Sequence, residues 1–253
     1  MDETAQKKSL NVPVAIVIAG VLIAGAVFMN KTPSPATDNS AAAAAANQEI
    51  SIRPLSSSDH ILGNPTADIV IVEYSDLECP FCKVFHQTMH QLIDEYGKSG
   101  KLAWVYRQFP LAELHSKAPM ESEASECAAE LGGNAGFWKF IDTVFAVTPS
   151  NNGLDPAQLP KIAKDIGLNE NAFNTCLTSG KYATKIKAAY DEAFAAGARG
   201  TPYSVIISGS TKIPIDGAQP YTAVKAAIET LLAQKNGPVG QQAVPTLTPQ
   251  SSN

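Results

Sequence analysis

The chain has 253 residues, 45% of them apolar, and its 24 acidic and 19 basic residues leave a net charge of −5. That is enough apolar material for a sizeable core, and basic residues that are neither in excess nor clustered exclude an electrostatic nucleic-acid binder. Four cysteines, an even count, permit two disulfides in an oxidising compartment.

Val12 to Met29 is uncharged and almost wholly apolar. As a helix rising ~1.5 Å per residue it spans roughly 27 Å, about the hydrocarbon thickness of a bilayer. Residues 12–29 are therefore expected to be a transmembrane anchor, or a signal segment if the small-residue pattern Ala24-Gly25-Ala26 is cut. The run is longer than a usual signal core, which favours the anchor. Lys7 and Lys8 precede it, which makes residues 1–11 a short cytoplasmic N-terminus and the remainder extracytoplasmic. The chain is then a single-pass protein of the cell membrane, or secreted if the segment is cleaved. Residues 30–52 are rich in Ala, Ser, Thr, Pro and Asn and read as a flexible linker. Residues 236–253, uncharged and rich in Pro, Gln, Ser and Thr, read as a disordered tail.

The folded region expected between them is residues 53–235. Ile69 to Tyr74 (IVIVEY) is a nearly continuous apolar run, the pattern of a strand buried on both faces. Glu78-Cys79-Pro80-Phe81-Cys82 follows at once. The next helix places Cys82, Phe85, Met89, Leu92, Ile93 and Tyr96 on one stripe and ends near Gly97 and Gly100. Lys101 to Phe109 is a second strand, so the first unit is βαβ with a right-handed crossover. From about 112 to 198 the periodicity is helical, punctuated by turns at Gly132-Gly133, Thr148 to Gly153 and Gly167, with Asp155 and Asn169 as candidate caps. Tyr203 to Ile207 and Lys212 to Ile215 are strands, and Tyr221 to Leu232 is a last amphipathic helix. The order βαβ, helical block, ββα gives an α/β class: a thioredoxin-like fold with an inserted α-helical domain, preceded by one N-terminal transmembrane helix.

Between a strand and the first turn of a helix, Cys-x-x-Cys is a redox motif rather than half a zinc site. Cys79 falls at the helix N-terminus, where unpaired N–H groups favour an anion, and Pro80 suits a first turn. Cys82 lies on the core-facing stripe. Cys79 is thus the exposed, attacked sulfur and Cys82 the buried, resolving one. Glu73 interrupts the buried strand, either as an edge carboxylate facing water or as a buried acid exchanging protons with Cys82. Cys127 and Cys176 are either two small buried hydrophobes or a structural disulfide. They lack zinc-knuckle spacing. His86 and His90 are spaced i, i+4 with no obvious third ligand, so a solvated helix flank is expected and no metal. His60 and His115 give no signal, and no cofactor motif is present.

The stretch Tyr74-Ser75-Asp76-Leu77-Glu78-Cys79-Pro80-Phe81-Cys82, the Phe137-Trp138 pair and Gly200-Thr201-Pro202 make the chain resemble the DsbA family of extracytoplasmic thiol-disulfide oxidoreductases over Arg53 to Lys235. The resemblance implies a cis peptide bond at Thr201-Pro202 beside the disulfide, binding extended substrate by strand addition. It also implies an acid in the position of Glu73. Phe81 stands where the strongest oxidants of the family carry His, which implies a somewhat weaker oxidant. The implied partners are exported proteins with free thiols and a membrane quinone-linked reoxidising protein, with residues 12–29 in the inner membrane. A disulfide-forming oxidase is the first reading. A reductase or isomerase of the same fold and a non-catalytic chaperone or binding module are the alternatives.

Overall fold

The computed structural model describes residues 50–236. The expected segments 1–11 and 12–29, most of the linker and the tail beyond Asn236 lie outside the described residues. Among the described residues no helix is long and apolar enough to cross a membrane.

Five strands form one sheet: β1 His60–Gly63, β2 Ile69–Ser75, β3 Leu102–Gln108, β4 Tyr203–Ser208 and β5 Thr211–Asp216, in the order β1-β3-β2-β4-β5. β2 and β3 run parallel, with Ile69 opposite Leu102 and Ser75 opposite Gln108. The other pairs are antiparallel. Helix α1 (Pro80–Leu92), extended by a π turn over Ile93–Gly97, makes the crossover. β2 is central and covered on both faces. Ile69 and Ile71 pack toward α1, while Val72 and Tyr74 share the other face with their strand partners Val205 and Tyr203 and cluster there with Ala193 and Ala196. From α1, Phe85, Met89 and Leu92 are fully buried, each contributing ~1.5–3 kcal/mol by leaving water.

The helical block between β3 and β4 comprises α2 (Ala118–Val147), a 3-10 turn at Pro156–Gln158, α3 (Leu159–Asp165), α4 (Glu170–Ser179) and α5 (Ala183–Ala195). Asp155 and Asn169 cap with their side chains, accepting from the N–H groups of Ala157 and Ala172. α4 ends on Gly180 in the left-handed conformation. A disulfide between Cys127 and Cys176 joins α2 to α4. The last helix, α6 (Tyr221–Asn236), lays Val224, Ile228 and Leu231 on the core.

At Gly132-Gly133 the expected break is present: Gly133, non-helical at φ 64° and ψ −162°, divides α2 into two helical stretches that meet across a kink. The structure departs from the sequence reading elsewhere. The folded region includes residues before Arg53: Ile50 and Ile52 pack on the sheet, and Lys212 donates to the Ile50 carbonyl. At the other end α6 includes Asn236. β1 was not anticipated. It is only four residues long, and Gly63 is required at its end, since a Cβ there would lie 2.7 Å from the Leu102 carbonyl oxygen. Both outer edges of the sheet are blunted, by the shortness of β1 and by exposed Pro214 on β5.

Candidate active site

The turn from β2 into α1 is built around Asp76. Its Oδ1 accepts from the Glu78 N–H at 2.8 Å, an Asx-type turn. Its Oδ2 accepts from the Leu111 N–H at 2.8 Å and faces His115 Nδ1 at 2.9 Å. Cys79 is the N-cap of α1 with extended backbone (φ −78°, ψ 122°), and Pro80 occupies the first turn. The backbone thus delivers Cys79 to a helix N-terminus, where anionic sulfur is favoured.

Across the gap lies Thr201-Pro202, whose peptide bond is cis. The Cys79 thiol donates to the Thr201 carbonyl at 3.4 Å. The cysteines are unbonded to each other. Contrary to the expectation of an exposed attacked sulfur, Cys79 is only 4% exposed, while Cys82 is fully buried. The chain around Thr201 and the helix turn cover Cys79, and apolar Phe81 and Val84 stand out into water instead.

The two sulfurs differ more in chemistry than in burial. A hydrogen bond from the Cys82 thiol pushes the Cys79 pKa down to about 6 against the effect of burial. Thr201 and the Cys82 and Phe81 N–H groups add to that stabilisation. Thr201 therefore serves both forms: its carbonyl accepts from the thiol, and its hydroxyl, buried and without another partner among the described residues, favours the thiolate. Burial pushes Cys82 well above the ordinary range, reinforced by Cys79 and by the charge of Glu73. The Asp76 N–H donates to Cys82 Sγ at 3.4 Å.

Glu73 is fully buried, not at a sheet edge. Trp104 Nε1 donates to its Oε2 at 2.9 Å, and its Oε1 has no partner among the described residues. Burial pushes its pKa up to about 7. The strand register sets Glu73 between Tyr106 and Ser204, whose hydroxyls are likewise buried and unpartnered among the described residues. This polar row near Cys82 thus holds three buried oxygens without a partner among the described residues.

Glu78 was quoted in the motif but given no role by sequence. Its carboxylate accepts from the Gly153 and Leu154 N–H groups, and its carbonyl from the Asn151 N–H. It fastens the redox turn to the loop after α2. Lys83 adds a bond to the Thr148 carbonyl at 2.7 Å. Burial, then the neighbouring Glu78, pushes Glu121 up to about 9, so it stays protonated beside Glu78 at neutral pH. Asp76, with its Asx spacing to Glu78, was the one visible signal among these. Trp104, His115 and Glu121 reach the site only through the fold.

Cys79, Pro80, Cys82, Glu73, Thr201 and Pro202 are therefore brought to one place. Cys127 and Cys176 are not; their disulfide closes a separate seam. Residues 55–230 match the thioredoxin family, and Pseudomonas aeruginosa DsbA2 is 31% identical, covering 72% of this chain and 97% of that one at a TM-score of 0.53. The chain belongs to the thioredoxin family, as a DsbA-like thiol-disulfide oxidoreductase.

Other likenesses of this DsbA-like enzyme bear on the fold alone or on part of the chain. Bacillus subtilis BdbD is 21% identical, covering 74% of this chain and 99% of that one, at a TM-score of 0.63. The Na(+)/H(+) antiporter NhaA 3 of Salinispora tropica is 33% identical over 144 residues, 57% of this chain. The chain spans only 21% of that curated relative's length.

The histidines need correction too. His86 is buried and both it and His90 face Asp142 of α2, so they are not a solvated flank. His60 stacks on Phe137 with ring centroids 3.6 Å apart and meets Glu126 at 3.0 Å. Asp142 and the stacking partner Phe137 both come from α2, far away in sequence.

Proposed function

We propose that this DsbA-like enzyme is a membrane-tethered, extracytoplasmic oxidase that forms disulfides in exported proteins. The observation that carries the direction is the placement of Cys79 at the N-terminus of α1, where the Cys82 thiol, Thr201 and the Cys82 and Phe81 N–H groups favour its thiolate, while burial disfavours that of Cys82. A stable Cys79 thiolate favours the reduced enzyme and so makes the disulfide form an electron acceptor.

In the oxidised enzyme a substrate thiolate attacks Cys79 Sγ. The Cys79–Cys82 bond breaks, and Cys82 leaves with the electron pair and takes a proton from Glu73, whose pKa of about 7 suits a donor at neutral pH. A second substrate thiolate then attacks the substrate sulfur of the mixed disulfide, and Cys79 departs as thiolate. The substrate is oxidised and the enzyme reduced. Thr201 and Pro202 hold the substrate backbone beside Cys79 by strand addition. A membrane quinone-linked partner restores the enzyme's disulfide.

The Cys127–Cys176 disulfide supports an oxidising compartment, and residues 12–29 would provide the tether. The test is the reduction potential of the Cys79–Cys82 pair against glutathione, alongside oxidation of a reduced, unfolded substrate. A potential near that of glutaredoxins or thioredoxin, roughly −200 to −270 mV, with insulin reduction outpacing oxidation, replaces the oxidase by a reductase.

A further inference from the structure

His86 and His90 lie one turn apart on α1, and Asp142 faces them from α2. Nε2 of His86 is 2.7 Å and Nε2 of His90 is 2.9 Å from the same Asp142 oxygen, and the two nitrogens are 3.2 Å apart. Three lone-pair atoms on three side chains converge on one point. We propose that His86, His90 and Asp142 form a binding site for a divalent transition-metal ion of the zinc class, separate from the redox pair.

The triangle has the size such an ion needs. Ligand atoms ~2.0–2.1 Å from a metal sit roughly 2.9–3.4 Å from one another at octahedral to tetrahedral angles, within a few tenths of an ångström of the separations found. An ion equidistant from all three lies about 1 Å off their plane at that bond length. Without an ion, both imidazole nitrogens turn to the same carboxylate oxygen, which has lone pairs enough to accept from both. A cation answers all three at once.

The site is built and approachable. His86 is held against Trp104 and Phe145, with ring centroids 5.1 and 4.6 Å away, and His90 stands edge-on to Trp104 at 5.3 Å. The side chains of His90 and Asp142 are 37% and 41% exposed, leaving open coordination positions toward water. His86 Nδ1 has no partner among the described residues, so packing rather than an outer hydrogen bond sets the ring. Two imidazoles with one carboxylate suit Zn2+, Co2+, Ni2+ or Cu2+ and not Ca2+ or Mg2+, which take oxygen ligands. A bound ion would pin the active-site helix α1 to the helical block. Trp104 stands between this site and the redox pair, its ring against both histidines and its N–H on Glu73.

The test uses tag-free full-length protein with Cys79 and Cys82 oxidised, so that no thiolate competes. Titration with Co2+ should give a saturable visible absorption at one ion per chain, displaced by Zn2+, and Zn2+ should raise the melting temperature. His90→Ala and Asp142→Asn, both at half-exposed positions, should each weaken Co2+ binding more than tenfold and abolish the Zn2+ shift, with the metal-free melting curve confirming that they fold. The Cys79→Ser/Cys82→Ser variant should bind as the wild type does. Absence of one-to-one binding, or binding that both ligand variants leave intact, overturns the proposal.

Discussion

Two cysteine pairs sit in one core and meet opposite fates. Cys79 and Cys82 are three residues apart at a helix N-terminus, surrounded by N–H and O–H donors and the half-satisfied row of Glu73, Tyr106 and Ser204. Cys127 and Cys176 are 49 residues apart in the bodies of α2 and α4, among Ala124, Phe140 and Phe173, with Cα atoms 5.8 Å apart. Burial is nearly the same for all four. What separates a reactive pair from a structural one is the set of donors that can stabilise a thiolate, together with loop length.

That contrast is broken most sharply by single substitutions at the reactive pair. Cys79→Ser is expected to reduce substrate oxidation to background while leaving the melting curve nearly unchanged, as followed with a reduced fluorescent peptide. Cys127→Ala with Cys176→Ala should do the reverse. Opening a loop of this length costs about 4 kcal/mol in the chain-entropy model, read by urea denaturation, with exchange per folded molecule within about twofold of wild type.

Glu73→Gln sharpens the comparison next. The folded pKa is raised above the ordinary 4.5 to about 7, so the native state holds a proton that the unfolded chain releases. Glu73 therefore destabilises increasingly as pH rises from about 4.5 to 7, by at most about 3.5 kcal/mol at ~1.4 kcal/mol per unit. In the reduced protein, where the Cys79 charge adds to that shift, Glu73→Gln should gain stability over wild type across that window and match it at pH 4, while exchange slows roughly 10-fold or more. A variant as fast as wild type removes Glu73 from the mechanism. Phe81→His is the smallest change. Adding a donor beside Cys79 should make the pair more oxidising by tens of millivolts, ~30 mV per 1.4 kcal/mol; an unchanged potential shows that Phe81 does not set it.

The reactive pair was legible because its signals are local: an apolar run, a cysteine at the strand-to-helix switch, a proline in the first turn. β2 was readable for the same reason, and Asp155 and Asn169 capped as their types suggest. What could not be read depends on pairing across the fold. β1 has four residues, too few for periodicity, and exists because β3 offers an edge. Asp142 joins His86 from 56 residues away. Glu73 was ambiguous because an acid in an apolar run fits an edge or a buried site equally, and only the strand order, with β2 in the centre, decides. The exposure of Cys79 was misjudged since the cover comes from Thr201, 122 residues on.

The edges of the sheet bear on an enzyme whose proposed substrates are unfolded chains. A protein that meets extended, unpaired segments risks capturing them along any open strand. β1 offers four residues and β5 presents Pro214, which has no N–H to give. Strand addition is thereby discouraged along both flanks, which leaves Thr201-Pro202, beside Cys79, as the docking place proposed above for an extended chain.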